Sequence, residues 1–161
     1  MRKLHRIKGF VRAYTVKGVR YSYGELAIKF PNRAKQIRDK TREIAKEMTV
    51  ILVGKTVVQT IDNNKLIMIG FSSKNNKEFV RQAMLTLSGK YFTRKEMLGI
   101  NRILSKAVYV PTTHLNKHKC EDDKTLWFTY KDSTRSGIWF KVKRDMSGGG
   151  RYYLYSLSDR I

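Results

Sequence analysis

The segment Thr112-Thr113-His114-Leu115-Asn116-Lys117-His118-Lys119 carries two of the chain's three histidines, four residues apart and interleaved with lysines. Imidazole is the side chain that accepts and donates protons near neutrality. Metal-independent RNA cleavage needs a base for the 2′-hydroxyl, an acid for the leaving 5′-oxygen and cations around the phosphate. His114, His118, Lys117 and Lys119 are the right types. Two other readings of the segment stay open. The histidines could touch a nucleic acid passively from an exposed loop. They could also bind a metal with Cys120 and Asp122, although the spacing and ligand count match no recognised zinc pattern. Glu121-Asp122-Asp123 is the only carboxylate cluster, and no phosphate-binding, dinucleotide, nucleophile-elbow or metalloprotease motif occurs. No metal and no cofactor is therefore expected.

A second constellation lies nearer the C-terminus. In 125–131, Leu126, Phe128 and Tyr130 alternate with Trp127, Thr129 and Lys131. In 138–144, Ile138, Phe140 and Val142 alternate with Trp139, Lys141 and Lys143. A period of two places each set on one face of a strand. One face is apolar and must cover helices; the other shows Trp, Thr and Lys. Rings that stack on bases, beside ammonium groups that meet phosphates, suit a polynucleotide. The competing reading is an ordinary solvent face with snorkelling lysines. The register of a third strand, 151–157, is ambiguous. Tyr152/Leu154 and Tyr153/Tyr155/Leu157 both read as core faces.

Charge favours the polynucleotide. The chain has 161 residues, 34 Lys plus Arg against 13 Asp plus Glu, and a formal net charge of +21. Such a domain calls for an anionic partner, and clustered cations gain affinity for phosphate backbones through counterion release. A basic face for an acidic protein is the alternative. At 41% apolar residues the chain buries too much for a disordered tail. A lone Cys120 excludes an internal disulfide, and the basic start MRKLHRIKGFVRAYTVKG lacks the apolar run of a signal peptide. No apolar run approaches the ~20 residues of a membrane span. A cytoplasmic protein without a membrane partner is expected.

The elements that must hold these residues read as follows. Tyr21 and Tyr23 continue an alternation of apolar and charged residues over 10–23, expected as short strands with a hairpin tip at Lys17-Gly18. Asn32 is the expected cap of an amphipathic helix, with Ala34, Ile37, Thr41, Ile44, Ala45 and Met48 inside and Lys35, Arg38, Arg42 and Lys46 on another side. From Thr49 the texture turns β-branched, so 50–53, 56–61 and 66–71 read as strands, the last two joined through Asp62-Asn63-Asn64. Asn75-Asn76 is the expected cap of a helix burying Phe79, Val80, Ala83, Met84 and Leu87, ended by Ser88-Gly89. Thr93-x-x-Glu96 is a capping box for a helix to Ser105, before a strand at 107–110. Short loops make the final three strands an antiparallel meander. The expected fold is α+β: helices packed on a twisted antiparallel sheet that ends in this meander. Residues 1–48 read as a basic extension of strands and an amphipathic helix, and 49–161 as the nucleic-acid-binding or nuclease domain. Charge divides almost evenly between them, +10 and +11.

From 49 onward the order of elements resembles a known family. The stretches LVGKTVVQTIDNNKLIMIGFSSKNNKEFV, INRILSKAVYV, LWFTYKDSTRSGIWFKVKRD and RYYLYSL resemble, in that order, the opening, the helix-to-strand passage and the final meander of barnase–EndoU–colicin–RelE-like RNase domains attached to phage and mobile-element polyvalent proteins. The likeness covers about two thirds of the chain and rests on element order and aromatic positions. It implies helices against a twisted antiparallel sheet and metal-independent RNA cleavage on the open face. The positions it implies are Lys106 before the first core strand, His114 or His118 in the connector, Thr129, Lys141 and Tyr153. Many such domains carry a histidine near the start of the first meander strand, where this chain has Trp127.

The expected function is thus a metal-independent endoribonuclease acting on RNA, such as tRNA, as a toxin or mobile-element effector. His114, His118, Thr129, Lys141 and Tyr153 would form its catalytic site. Binding would be shared by Arg2, Lys3, Arg6, Lys8 and Arg12 of the arm, and by Lys35, Arg38 and Arg42 of the helix. Lys106, Lys117, Lys119, Trp127, Trp139, Lys143 and Arg151 complete that set. The alternative is a non-catalytic nucleic-acid binder: a regulator, an accessory factor or an inhibitor of a nucleoprotein machine. A further candidate partner is an acidic inhibitor or immunity protein.

Overall fold

The computed structural model describes residues 10–111, 125–145 and 149–160, apart from the side chains of Val11 and Thr125. After a 3-10 turn at Val11–Tyr14, strands β1 (Thr15–Val16) and β2 (Val19–Arg20) form a small hairpin. Lys17 and Gly18 at its tip both have positive φ, 51° and 80°, the backbone a two-residue hairpin turn requires.

The expected alternation breaks at Tyr23, because Tyr23–Lys29 is a helix, α1. Its start is a capping box. Ser22 Oγ accepts from the Glu25 amide at 3.1 Å, and Glu25 Oε1 accepts from the Ser22 amide at 2.8 Å. The next helix, α2 (Pro31–Leu52), has no side-chain cap; Phe30 holds the N-cap position and Pro31 opens the first turn. Asn32 is therefore inside the helix. Proline at that position loses no hydrogen bond, since the first amides of a helix have no intrahelical acceptor. α2 also runs through 50–52, which sequence texture assigns to a strand. Val50 and Ile51 are β-branched but lie on the exposed side, while Met48 and Leu52 extend the buried stripe of Ala34, Ile37, Thr41, Ile44 and Ala45. Tertiary burial of that stripe outweighs the weak local preference.

Strands β3 (Val57–Ile61) and β4 (Lys65–Gly70) form the expected hairpin, with Asn63 and Asn64 at φ 62° and 58°. Helix α3 (Ser73–Arg81) is capped by Ser72, whose Oγ accepts from the Asn75 amide at 3.2 Å. Asn75 and Asn76 are one turn further in and buried, so neither caps it. A π turn at Gln82–Thr86 prolongs α3, and Ser88 and Gly89, both at positive φ, end it. The Thr93–Glu96 capping box opens α4 (Arg94–Leu98), followed by α5 (Ile100–Ser105), β5 (Val108–Val110), β6 (Thr125–Lys131), β7 (Trp139–Asp145) and β8 (Arg151–Ser158).

The main sheet has the order β3-β4-β8-β7-β6-β5. All neighbours are antiparallel except β4 and β8, which run parallel through Ile69↔Tyr152 and Gly70↔Tyr153. The sheet curls. Tyr130 Oη on β6 donates to the Thr60 carbonyl on β3 at 2.9 Å. The Gln59 amide donates to the Leu104 and Ala107 carbonyls at 2.8 and 2.7 Å. The fold is thus α+β, with helices packed on one side of a mostly antiparallel sheet. Phe79, Phe92 and Phe140 meet at ring separations of 6.0–6.4 Å where α3 covers the meander. The α2 stripe belongs to this same core. Among the described residues no helix is long and apolar enough to cross a membrane.

Candidate nucleic-acid interface

The strand register fixes which side chains share the face turned away from the helices. Directly opposed residues on neighbouring strands point to the same side, with Cβ atoms roughly 5 Å apart. One row across the meander is Val110, Thr129, Lys141 and Ser156. The next is Trp127, Lys143 and Tyr153, and a third is Lys131, Trp139 and Ser158. Successive rows lie ~6.8 Å apart along the strands. The opposite face presents Ile138, Phe140, Val142 and Tyr130 to the core, all fully buried. The alternation read in 125–131 and 138–144 is the alternation of the structure.

Strand β8 resolves its own ambiguity with an irregularity. Lys141 pairs with Ser156 and Val142 with Leu154, leaving Tyr155 as an extra residue in the ladder. The extra residue lets Leu154 and Leu157, three apart, both enter the core. It also leaves Tyr153 and Tyr155 outside together. Tyr155 packs edge-on to Trp127 at 5.1 Å, and Lys143 Nζ lies 4.9 Å over its ring. Tyr155 is the residue of this face that sequence reasoning missed. The signal was present in the Tyr153-x-Tyr155 alternation, but Leu157 concealed it, because without the irregularity Tyr155 and Leu157 would share a face. Tyr153 lies against Gly70 of β4, which has no side chain to displace the ring.

Lys141 and Thr129 come together at the middle of the face. Lys141 Nζ donates to Thr129 Oγ1 at 3.4 Å. Thr129 is buried, contrary to the exposed position expected for it. It stands on an interior strand between Val110 and Lys141, so neighbours shield it on both sides. Lys141 is half-buried, and burial alone holds its ammonium below the usual lysine range. Among the described residues no carboxylate counters that shift. Tyr155 is pushed up by burial and by the Glu78 carboxylate, with Arg81 acting in the opposite direction.

The other expected site residues are dispersed. Lys106 caps α5 at the β5 edge, and Arg151 faces Asp145 where β8 begins. Arg12 lies on the 3-10 turn, and Lys35, Arg38 and Arg42 are on the exposed side of α2, in the helical layer. Lys35 pairs with Asp39 at 3.2 Å and Arg42 with the same carboxylate at 2.6 Å. His114, His118, Lys117 and Lys119 lie outside the described residues, as do Arg2, Lys3, Arg6 and Lys8. Among the described residues no group of three or more His, Cys, Asp or Glu side chains could hold a metal.

No family model matches the chain, and neither a curated protein nor a solved structure does so.

Proposed function

We propose that the protein binds single-stranded RNA across the outer face of β6, β7 and β8. The observation that carries this reading is Lys141. A half-buried ammonium with a hydroxyl partner and, among the described residues, no carboxylate acting on it gains most from an anion brought by a ligand. A phosphodiester would supply that anion, and Thr129, buried beside Lys141, would hold the ammonium toward it. Trp127, Tyr153 and Tyr155 offer rings for bases one row away, and each stacked base contributes about 1–3 kcal/mol. Lys131 and Lys143 continue the charge along the face. A labelled RNA of about 12 nucleotides should bind with an affinity that falls steeply as salt rises. Weak binding at low salt would refute the reading.

The finer form is a metal-independent endoribonuclease, a toxin or mobile-element effector, as the likeness to barnase–EndoU–colicin–RelE-like domains implies. Lys141 would neutralise the scissile phosphate, Thr129 and Tyr153 would orient it, and His114 or His118 would relay the protons. Cleavage of tRNA in the presence of a chelator, abolished in the His114→Ala, His118→Ala double variant, supports it. Uncleaved tRNA, or equal cleavage by the variant, refutes it.

A non-catalytic binder is the second reading, and one observation favours it. The described side chains around Lys141 are lysine, threonine, tyrosine, serine and tryptophan, none of which ordinarily exchanges protons near neutrality. Tight binding without product would establish this reading.

A further inference from the structure

A second feature lies in the helical layer, between α2 and α3. The two helices run antiparallel, with Asn76 early in α3 donating to Thr49 Oγ1 late in α2 at 3.1 Å. Between them is an open groove of about 660 Å³. Its α2 wall runs from Arg38 to Val50 at intervals of three and four residues, one continuous helix face. Its α3 wall is Ser73, Lys77, Arg81 and then Leu85, spaced by four. At 1.5 Å per residue each wall is ~18 Å long, about three helical turns.

The groove is apolar along its floor and cationic along its rim. Ala45, Leu85 and the methyl groups of Thr41 and Thr49 line the floor, and Val50, 84% exposed, stands at its end. Arg38, Arg42, Lys46, Lys77 and Arg81 line the rim; Arg42 pairs with Asp39 at 2.6 Å and Arg81 with Glu78 at 2.7 Å, while Lys46 and Lys77 carry the charge nearest the floor. Val50 at the mouth extends the apolar floor outward, so floor and mouth together form one apolar strip between the cations. A phosphate backbone would satisfy the rim but leave the floor wet. A lipid surface is flat and does not enter a trough of this shape.

We propose that this groove docks an amphipathic, acidic helix of a protein partner. Apolar side chains at i, i+3, i+4 and i+7 would fill the floor, and flanking Asp or Glu residues would meet the rim. The length of the walls fits a partner helix of about three turns, packed as the third member of a helical layer. The groove approaches the β6–β8 face at Arg81, which lies within electrostatic reach of Tyr155, so the partner would lie along α2 and α3 next to RNA held across β6–β8.

The test is a titration of the full chain with a labelled synthetic peptide of about 15 residues, leucines on one helical stripe and glutamates elsewhere, at roughly 0.15 M salt. The control has the same composition with its leucines spread around the helix. The striped peptide should bind about tenfold more tightly than the control. Val50→Asp, at an exposed position that the fold tolerates, should weaken it about tenfold and leave RNA affinity unchanged. Lys46→Gln with Lys77→Gln should weaken it further and reduce its salt dependence. Equal binding of the two peptides, or unchanged binding to Val50→Asp, would overturn the proposal. So would displacement of the peptide by RNA in a Lys141→Met variant, or by anionic phosphatidylserine vesicles, since either would put a different occupant in the groove. A failure here with RNA binding intact would leave the β6–β8 reading standing.

Discussion

Replacing Lys141 by methionine should move stability and binding in opposite directions. The side chains are similar in length, so the space beside Thr129 stays filled. What is lost is an ammonium that burial disfavours and a long hydrogen bond of 3.4 Å. Water still reaches part of the group, so the relief is discounted to about 0.5 kcal/mol in favour of the variant. That corresponds to a rise of about 1–2 °C in Tm for a domain of this size. Binding should suffer. A charge-assisted hydrogen bond to phosphate contributes about 2 kcal/mol, so RNA affinity should fall roughly 30-fold at low salt. The plot of log affinity against log salt should lose about 0.7 from its slope, the share of one phosphate contact on a single strand. Urea denaturation followed by the fluorescence of Trp127 and Trp139 gives the first quantity, and anisotropy of a labelled RNA gives the second. If Lys141→Met loses more than about 2 kcal/mol of stability and keeps its RNA affinity, the lysine is a packing residue and the reasoning fails.

Three further outcomes follow from the geometry. Gly89→Ala should cost about 3 kcal/mol in the same denaturation assay, because a Cβ there would lie 2.6 Å from the Tyr14 ring at a φ of +63°. Asp132→Ala should cost about 3 kcal/mol and lower Tm by about 6–12 °C. The buried carboxylate accepts from the Thr134 amide at 2.8 Å and the Arg135 amide at 3.1 Å, and pairs with the Arg135 guanidinium, which in the variant loses one of its two carboxylate partners and keeps Glu96 and the Tyr91 carbonyl. Stability should fall as pH rises from about 10, measured by denaturation across that range. Burial and the Asp62 carboxylate push Tyr109 up to about 12, and burial raises Tyr14 and Tyr130, so the unfolded chain ionises first. Lys141 works the other way. In its window below 10.5 the unfolded chain holds a proton that the folded chain lacks, so this one group gains stability with pH, against the raised tyrosines, Tyr91 and Tyr155 included, that lose it.

The parts of this fold that were legible in sequence are those decided by short-range pattern. The two-residue alternation in β6 and β7 defines their faces because each has one wall against the core. The Thr93–Glu96 box and the Asn63-Asn64 turn depend on neighbours within four residues. Misread elements were those decided at a distance. Val50 and Ile51 look like strand residues, and the burial of Met48 and Leu52 in the core, where α2 packs on α3 and α4, keeps them helical. Ser22 and Glu25 form a capping box as clear as the later one, but the tyrosine alternation on either side masked it. The parallel pairing of β4 with β8, about 80 residues apart in the chain, has no local signature. Neither has the extra residue at Tyr155, on which the aromatic half of the candidate face depends. Thr129 could be placed on its face from sequence, but its burial needed the strands on both sides.

Where RNA sits on the protein tests the central claim most directly. Ultraviolet crosslinking of a short single-stranded RNA, followed by mass spectrometry of the adducts, reports the residues that touch bases. Adducts on Trp127, Tyr153 and Tyr155, lost together with binding in Lys141→Met, are the expected result. Adducts confined to α2 and α3, with 125–131, 139–145 and 151–158 unmodified, would contradict it.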